Sequence, residues 1–186
     1  MKNTFSHMRS SIVFALAAAL PLIAGAQGLM SEVAGVYKHR FMSATITPGK
    51  APMEADEPYQ AEDVIEIVPV DREHVYFRIH LDFYNGHSCG LYGIAKQEGG
   101  RFVYRESADL SPAPPRCVLR LGVDKGQLSI TDRGEDDVSS CSQYCGARGS
   151  LDYTIGMDKR RPIRYMERLK ASRQYQESVA RMRPKP

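Results

Sequence analysis

Histidine and cysteine are the side chains of this sequence best suited to nucleophilic or metal chemistry, with five and four copies respectively. The pair nearest in sequence is His87 and Cys89. Nucleophilic catalysis needs a free thiolate beside a base, and a third group that orients the base. We expect Cys89 to be oxidised, and the sequence supplies no orienting group for His87. We therefore expect no catalytic residue and no enzymatic activity.

The candidate metal ligands are His80, Asp82 and His87, which lie close together along the chain. Structural zinc sites use compact His and Cys spacings, and this sequence contains none. Residues 132–137 hold four acids, but these lack the ligand spacing of a calcium loop. No glycine-rich phosphate loop or Gly-x-Ser-x-Gly motif is present. The sequence therefore predicts neither a metal ion nor a cofactor.

The first 26 residues have the pattern of a secretory signal peptide. Lys2 and Arg9 precede an apolar run at residues 12–20, and Ala24-Gly25-Ala26 follows as a small-residue cleavage site. An uncleaved anchor is the alternative, but the run is shorter than the roughly 20 residues that span a bilayer. We predict cleavage after Ala26 and a mature protein located in the periplasm or secreted.

The four cysteines all lie in the mature part and are Cys89, Cys117, Cys141 and Cys145. An even number of cysteines on an exported chain favours two disulfides. Three pairings are open, and the sequence alone does not choose between them. We favour Cys89–Cys117, which would join two central strands, with Cys141–Cys145 closing a tight loop.

Strand signals dominate the mature chain up to residue 131. The clearest comes from residues 75–84, where apolar and polar side chains alternate, and Asn85-Gly86 follows as a hairpin turn. Similar short segments, separated by turns, give about seven closely spaced strands with no helix between them. Residues 27–158 are therefore predicted to form one mainly β domain, a small antiparallel barrel or sandwich. Residues 134–155 form an irregular cysteine-bearing loop.

The C-terminal part differs in both structure and charge. Residues 27–158 contain 20 acidic and 13 basic residues, whereas residues 159–186 contain 10 basic and 2 acidic residues. Residues 162–182 have the apolar stripe of a helix, so residues 159–186 are predicted to be a basic helix and tail. This element either packs on the barrel with a solvated basic face or makes peripheral contact with anionic lipid or glycan. Export and the acidic body argue against a nucleic-acid partner.

Two surfaces are candidates for binding a partner. The first is the polar row of the clearest strand: Tyr76, Arg78, His80, Asp82 and Tyr84. The second is the cysteine-bearing loop, with Tyr144, Arg148 and Asp152. Tyrosine and arginine are enriched at interfaces, and binding residues concentrate on loops held by rigid scaffolds. The alternatives are a solvated outer strand face and a braced loop without a partner.

The sequence also resembles a known family. The matching segments run from Asn85 to Ala95 (NGHSCGLYGIA), from Cys117 to Leu121 (CVLRL) and from Cys141 to Asp152 (CSQYCGARGSLD). They resemble the small β-domain of LprI-like periplasmic proteins, over roughly residues 35–152. The resemblance implies a β-domain in which the four cysteines are disulfide partners, and a function in lysozyme inhibition.

These observations predict a non-enzymatic binding protein that inhibits a peptidoglycan hydrolase, either as a lysozyme inhibitor or as an immunity protein against a toxin. Lysozymes and many secreted cell-wall hydrolases are basic, so an acidic domain would attract them electrostatically. The alternative is an envelope-associated module that uses its basic C-terminal helix to bind anionic lipid or glycan.

Overall fold

The computed structural model describes residues 22–50, 56–111 and 116–182, and within these ranges the protein is mainly β. The predicted mainly β fold of antiparallel strands with a C-terminal helical segment is confirmed, and of the two predicted alternatives the sheet is barrel-like. The strands are β1 (Gly35–Ile46), β2 (Asp56–Pro69), β3 (His74–Asp82), β4 (Ser88–Glu98), β5 (Arg101–Arg105), β6 (Val118–Asp124), β7 (Gln127–Thr131), β8 (Tyr153–Gly156) and β9 (Arg160–Arg161). The helices are α1 (Leu22–Val33), α2 (Met166–Lys170) and α3 (Arg173–Met182). The sequence indicated fewer strands because β8 and β9 are too short to show a hydrophobic period.

Most of the predicted signal peptide lies outside the described residues, and the leader remains a prediction. α1 begins inside it and continues past the predicted cleavage point after Ala26. Met30 and Val33, on the mature side of that point, are buried against the interior of the sheet. Cleavage after Ala26 would therefore retain the part of α1 that packs on the core.

The sheet is a meander in which β1 to β8 pair in chain order and β9 adds to the free side of β1. The predicted hairpin between β3 and β4 is confirmed. Asn85 and Gly86 have φ angles of 61° and 69°, in the left-handed region that asparagine and glycine tolerate best. β3 ends earlier than the pattern predicts, because Asp82 already pairs with Ser88 and the connection runs through a short 3-10 turn.

Alternate residues of β3 form the centre of the barrel core. They are Val75, Phe77, Ile79 and Leu81. Burying each such side chain stabilises the fold by roughly 1.5–3 kcal/mol. Tyr104 of β5 packs edge-to-face on Phe77 with ring centroids 5.3 Å apart. Gly93 makes this contact possible, since a Cβ there would lie 2.6 Å from the Tyr104 ring.

The C-terminal segment covers the outer face of the barrel wall. Tyr76 of β3 points outward and is fully buried beneath α3, with its ring 5.0 Å from that of Tyr175. Leu169 of α2 joins the same outer cluster. The predicted single helix is in fact two, and Ser172 separates them by accepting a hydrogen bond from the Tyr175 N–H (3.3 Å) in the first turn of α3.

The barrel does not close along its whole length. β9 pairs with β1 only at Val36 and Tyr37, and a short 3-10 segment, Met157–Lys159, joins β9 to β8. In the part of the chain that the structure describes, no strand pairs with the same edge of β1 from Lys38 onward. We call the gap between this stretch of β1 and β8 the seam.

Candidate functional site

All four cysteines form disulfides, as predicted, but the favoured pairing is wrong. The structure joins Cys89 to Cys145 and Cys117 to Cys141. Cys89 lies on β4, and β5 separates that strand from β6, which follows Cys117. Cys145 instead lies directly beside Cys89 in an isolated antiparallel bridge. The short turn between Cys141 and Cys145 directs the two cysteines to different partners.

Two buried carboxylates stabilise the cysteine-bearing loop by accepting hydrogen bonds. Glu106 accepts hydrogen bonds from the backbone N–H of Cys117 (3.0 Å) and from the hydroxyl of Tyr144. Asp132 accepts a hydrogen bond from the backbone N–H of Cys141 (3.0 Å). Burial, reinforced by the hydrogen bond to Glu106, raises the pKa of Tyr144 well above its ordinary value, so the hydroxyl keeps its proton. The loop is thus fixed by hydrogen bonds as well as by disulfides.

Two glycines let the loop lie tightly on the start of β4. A Cβ at Gly149 would lie 2.6 Å from the Cys89 sulfur, and a Cβ at Gly146 would lie 2.8 Å from Nδ1 of His87. A larger residue at either position would force the loop or the side chain beneath it to shift. His87 is one of the three candidate metal ligands, and its side chain packs against this loop.

The structure brings together two of the predicted binding residues from different candidate surfaces. The guanidinium of Arg148, in the loop, lies 5.8 Å from the ring centroid of Tyr84, in the turn after β3. This distance permits a cation–π interaction. Tyr84 is 37% exposed, so part of its side chain is open to solvent. The two candidate surfaces therefore meet at this pair.

The remaining loop candidates are tied down by neighbours. Asp152 forms an ion pair with Nε of Arg133 (3.0 Å), whose Nη1 also contacts Oδ1 of Asp137 (3.3 Å). Residues 135–137 are acidic and exposed on the same loop. We call the set formed by Tyr84, Arg148, Asp152 and residues 135–137 the rim surface.

The polar row of β3 is divided by the C-terminal helices. Tyr76 is fully buried beneath α3 and is not available to a partner. Arg78 forms a two-point ion pair with Glu66 (2.5 and 2.9 Å) beside the same helices. The pair with Glu66 raises the pKa of Arg78. His80 and Asp82 lie beyond the helices and contact each other at 3.1 Å.

A cleft of about 470 Å³ opens at the seam. Its lining includes His39 and Phe41 from β1, Tyr153 from β8, and Asp63 and Asp82 from β2 and β3. Asp63 is 4% exposed. Its Oδ2 accepts a hydrogen bond from the Tyr153 hydroxyl (2.7 Å), and its Oδ1 accepts one from the backbone N–H of Asp82 (2.8 Å). The cleft thus has a buried carboxylate in its wall.

Sequence reasoning missed His39, Asp63 and Tyr153 as members of one site. A signal for Asp63 does exist: it shares the inward period of β2 with Ile65 and Ile67, so a charge occupies a core position. The alternation along β2 cannot show which residues lie opposite Asp63. His39 and Tyr153 come from β1 and β8, which face each other only across the seam.

Comparisons with known proteins found no matching family model, curated protein or solved structure. The two disulfides indicate an oxidising, extracytoplasmic setting. Across residues 22–50, 56–111 and 116–182, no helix has the length and apolar character to cross a membrane. The same ranges contain no group of three acidic, histidine or cysteine side chains placed to hold a metal ion.

Proposed function

We propose that this protein is a non-enzymatic binding protein of the periplasm, or a secreted one, that inhibits a basic peptidoglycan hydrolase through its rim surface. The partner is a lysozyme-like enzyme or a cell-wall-degrading toxin. The observation that carries the proposal is the joint bracing of the loop by both disulfides, which presents acidic and aromatic side chains on a fixed scaffold.

Rigidity favours binding because a fixed loop loses little conformational entropy when it docks. Tyrosine and arginine supply much of the energy of protein interfaces, and Tyr84 and Arg148 already contact each other on the rim surface. The exposed acids at residues 135–137 would steer a basic partner toward this side of the barrel.

The acidic residues of the body do not all contribute equally to the attraction of a basic partner. Among the described residues of the body, four acids are buried: Asp63, Glu66, Glu106 and Asp132. Glu66 is neutralised by its ion pair with Arg78, and the other three lie farther from an approaching protein than the exposed acids do. The attraction would therefore come mainly from exposed acids such as Asp136 and Asp137.

The test is an inhibition assay of the oxidised mature protein against a panel of lysozymes and amidases at low and high salt. We expect inhibition of at least one basic hydrolase, weakened by salt. Asp136→Asn with Asp137→Asn should weaken it, and asparagine tolerates the positive φ of 59° at position 137. The matched control neutralises two exposed acids in distant turns, Glu73→Gln and Asp124→Asn, and should leave inhibition unchanged. No inhibition across the panel would refute the proposal.

A second function is favoured by the surface of the C-terminal segment. Arg164, Arg168 and Lys170 are exposed, and no described carboxylate forms an ion pair with any of them. The same segment packs its apolar side on the barrel, so its basic side faces outward. Peripheral binding to anionic lipid or glycan is therefore the alternative. Charge reversal of these three residues should then abolish sedimentation with anionic vesicles and leave hydrolase inhibition intact.

A further inference from the structure

The seam cleft is a second site, separate from the rim surface. We propose that it binds a ligand carrying a primary ammonium or guanidinium group on a short apolar stem, with the Asp63 carboxylate as the counter-charge. This inference concerns a different part of the molecule and does not depend on the proposed inhibitor function.

Asp63 places a negative charge in the buried wall of the cleft. The carboxylate is 4% exposed, and no described lysine or arginine forms an ion pair with it. The half-exposed imidazole of His39 lies beside it, with Nδ1 3.7 Å from Oδ2. Burying a carboxylate is unfavourable unless it is paired or hydrogen-bonded. The two hydrogen bonds from Tyr153 and Asp82 satisfy it in part, and a carboxylate can accept about four.

The protonation of Tyr153 fixes the direction of the hydrogen bond. Burial and the hydrogen bond to Asp63 raise the pKa of Tyr153 well above its ordinary value. The hydroxyl therefore donates to Asp63 at neutral pH and does not compete with it as an anion. Asp82 adds a second carboxylate to the cleft, held by the backbone N–H of Glu62 (3.2 Å).

The walls of the cleft fit the stem of such a ligand. His39 and Phe41 stack with ring centroids 5.3 Å apart and planes inclined by 24°. Ile155 adds an apolar side chain from β8. Aromatic faces attract cations and pack against alkyl chains. A volume of about 470 Å³ is ample for a small amine.

One cation already lines the cleft and makes the proposal testable. Lys159 belongs to the lining, and its side chain is 51% exposed, with Nζ 3.8 Å from Asp158. Lys159 is not part of the hydrogen-bonded pair of Asp63 and Tyr153. The cleft has two carboxylates, Asp63 and Asp82, and Lys159 contributes a single positive charge. A bound cation would be repelled by Lys159, so removing this charge should strengthen binding.

The experiment titrates the oxidised protein with cadaverine and agmatine, using 1-pentanol as an uncharged probe, and follows the backbone amide resonances. We expect saturable shifts confined to the cleft residues of β1, β2 and β8, Asp82 at the end of β3, and Lys159, with both cations and much weaker shifts with pentanol. Asp63→Asn should weaken cation binding about tenfold or more. Glu73→Gln, which neutralises an exposed acid in the turn between β2 and β3, should not change it. Equal responses to the cations and pentanol, or a folded Asp63→Asn protein with unchanged affinity, would overturn the inference.

Lys159→Gln provides a test if the Asp63 variant does not fold. Its affinity for cadaverine should rise by about twofold to fivefold, and an unchanged or weaker affinity would contradict the proposal. A further assay identifies the source of the cation. If Asp63→Asn leaves hydrolase inhibition intact, the cleft serves free amines. If inhibition is also lost, the cleft receives a basic side chain of the partner.

Discussion

The rim surface and the seam are each supported by a tyrosine that donates a hydrogen bond to a buried carboxylate. At the rim the pair is Tyr144 and Glu106, and at the seam it is Tyr153 and Asp63. Neither carboxylate forms an ion pair with a lysine or arginine among the described residues. The two regions therefore share one chemical arrangement.

What surrounds each pair gives it a different role. Beside Glu106, the Cys117–Cys141 disulfide links the chain covalently. The Glu106 carboxylate also accepts a hydrogen bond from the backbone N–H of Cys117. Around Asp63 only hydrogen bonds hold the strands, and the sheet stays open beside it. A buried carboxylate thus fixes a loop where covalent links close the structure, and it can meet a ligand where the sheet does not close.

The largest expected effect is alkaline unfolding, which should affect both regions together. Burial raises the pKa of Tyr37 and Tyr104 to about 12, and the pKa values of Tyr144 and Tyr153 are raised further. Because these pKa values exceed that of an unfolded tyrosine, 10.0, their contribution to stability is complete below about pH 10. It should be lost as pH rises through 12.

Urea unfolding midpoints and tyrosinate absorbance measure this dependence. The buried tyrosines should ionise only as the protein unfolds, after the exposed ones. A single titration step near the ordinary tyrosine pKa in folded protein would show that neither carboxylate-bonded hydroxyl is held as described.

Removing a disulfide should separate the two regions. Replacing Cys89 and Cys145 by alanine releases a link that spans 56 residues, which in the chain-entropy model lowers the free energy of unfolding by about 4 kcal/mol. Amide exchange should accelerate in the loop around Tyr144 and remain slow around Asp63. Disulfide mapping of the unmodified protein supplies the control, and a Cys89–Cys117 bridge in that map would contradict the structure.

Local patterns predicted the part of the fold that local chemistry determines. The alternation of β3 and the Asn85-Gly86 turn are correct because they depend on neighbouring residues. The disulfide pairing failed because it depends on β5 lying between two cysteine-bearing regions. Tyr76 looked like a surface residue because its period is right for the outer face, but the helices that bury it come from a distant segment.

Asp132, which holds the cysteine-bearing loop, should tolerate an amide better than an alanine side chain. Asp132 accepts the Cys141 N–H through Oδ2, while its buried Oδ1 has no partner among the described residues. Asp132→Asn keeps the oxygen that accepts the Cys141 N–H but places an NH2 group without an acceptor at the buried Oδ1 position, and should cost about 1–3 kcal/mol. Asp132→Ala leaves both the Cys141 N–H and the Ser139 hydroxyl without their acceptor and should cost more. Urea denaturation measures both, and equal losses would indicate that charge rather than hydrogen bonding holds this loop.

The smallest expected change in stability is at the point where the two predicted binding surfaces meet. Tyr84→Leu and Arg148→Ala each remove the cation–π contact at 5.8 Å, which at an exposed site is worth about 0.5–1 kcal/mol. A double-mutant cycle isolates that coupling, and Tyr84→Phe, which keeps the ring, is the matched control.

The same variants distinguish structure from recognition. A contact that only braces the loop would change inhibition no more than it changes stability. Interface residues of this type contribute far more to binding than to folding, so each single variant should weaken inhibition by about tenfold or more. Tyr84→Phe should keep most of it, because the ring and its apolar contact area remain. If inhibition follows stability alone, the rim surface is a brace, and the open seam would be the better place to seek the partner.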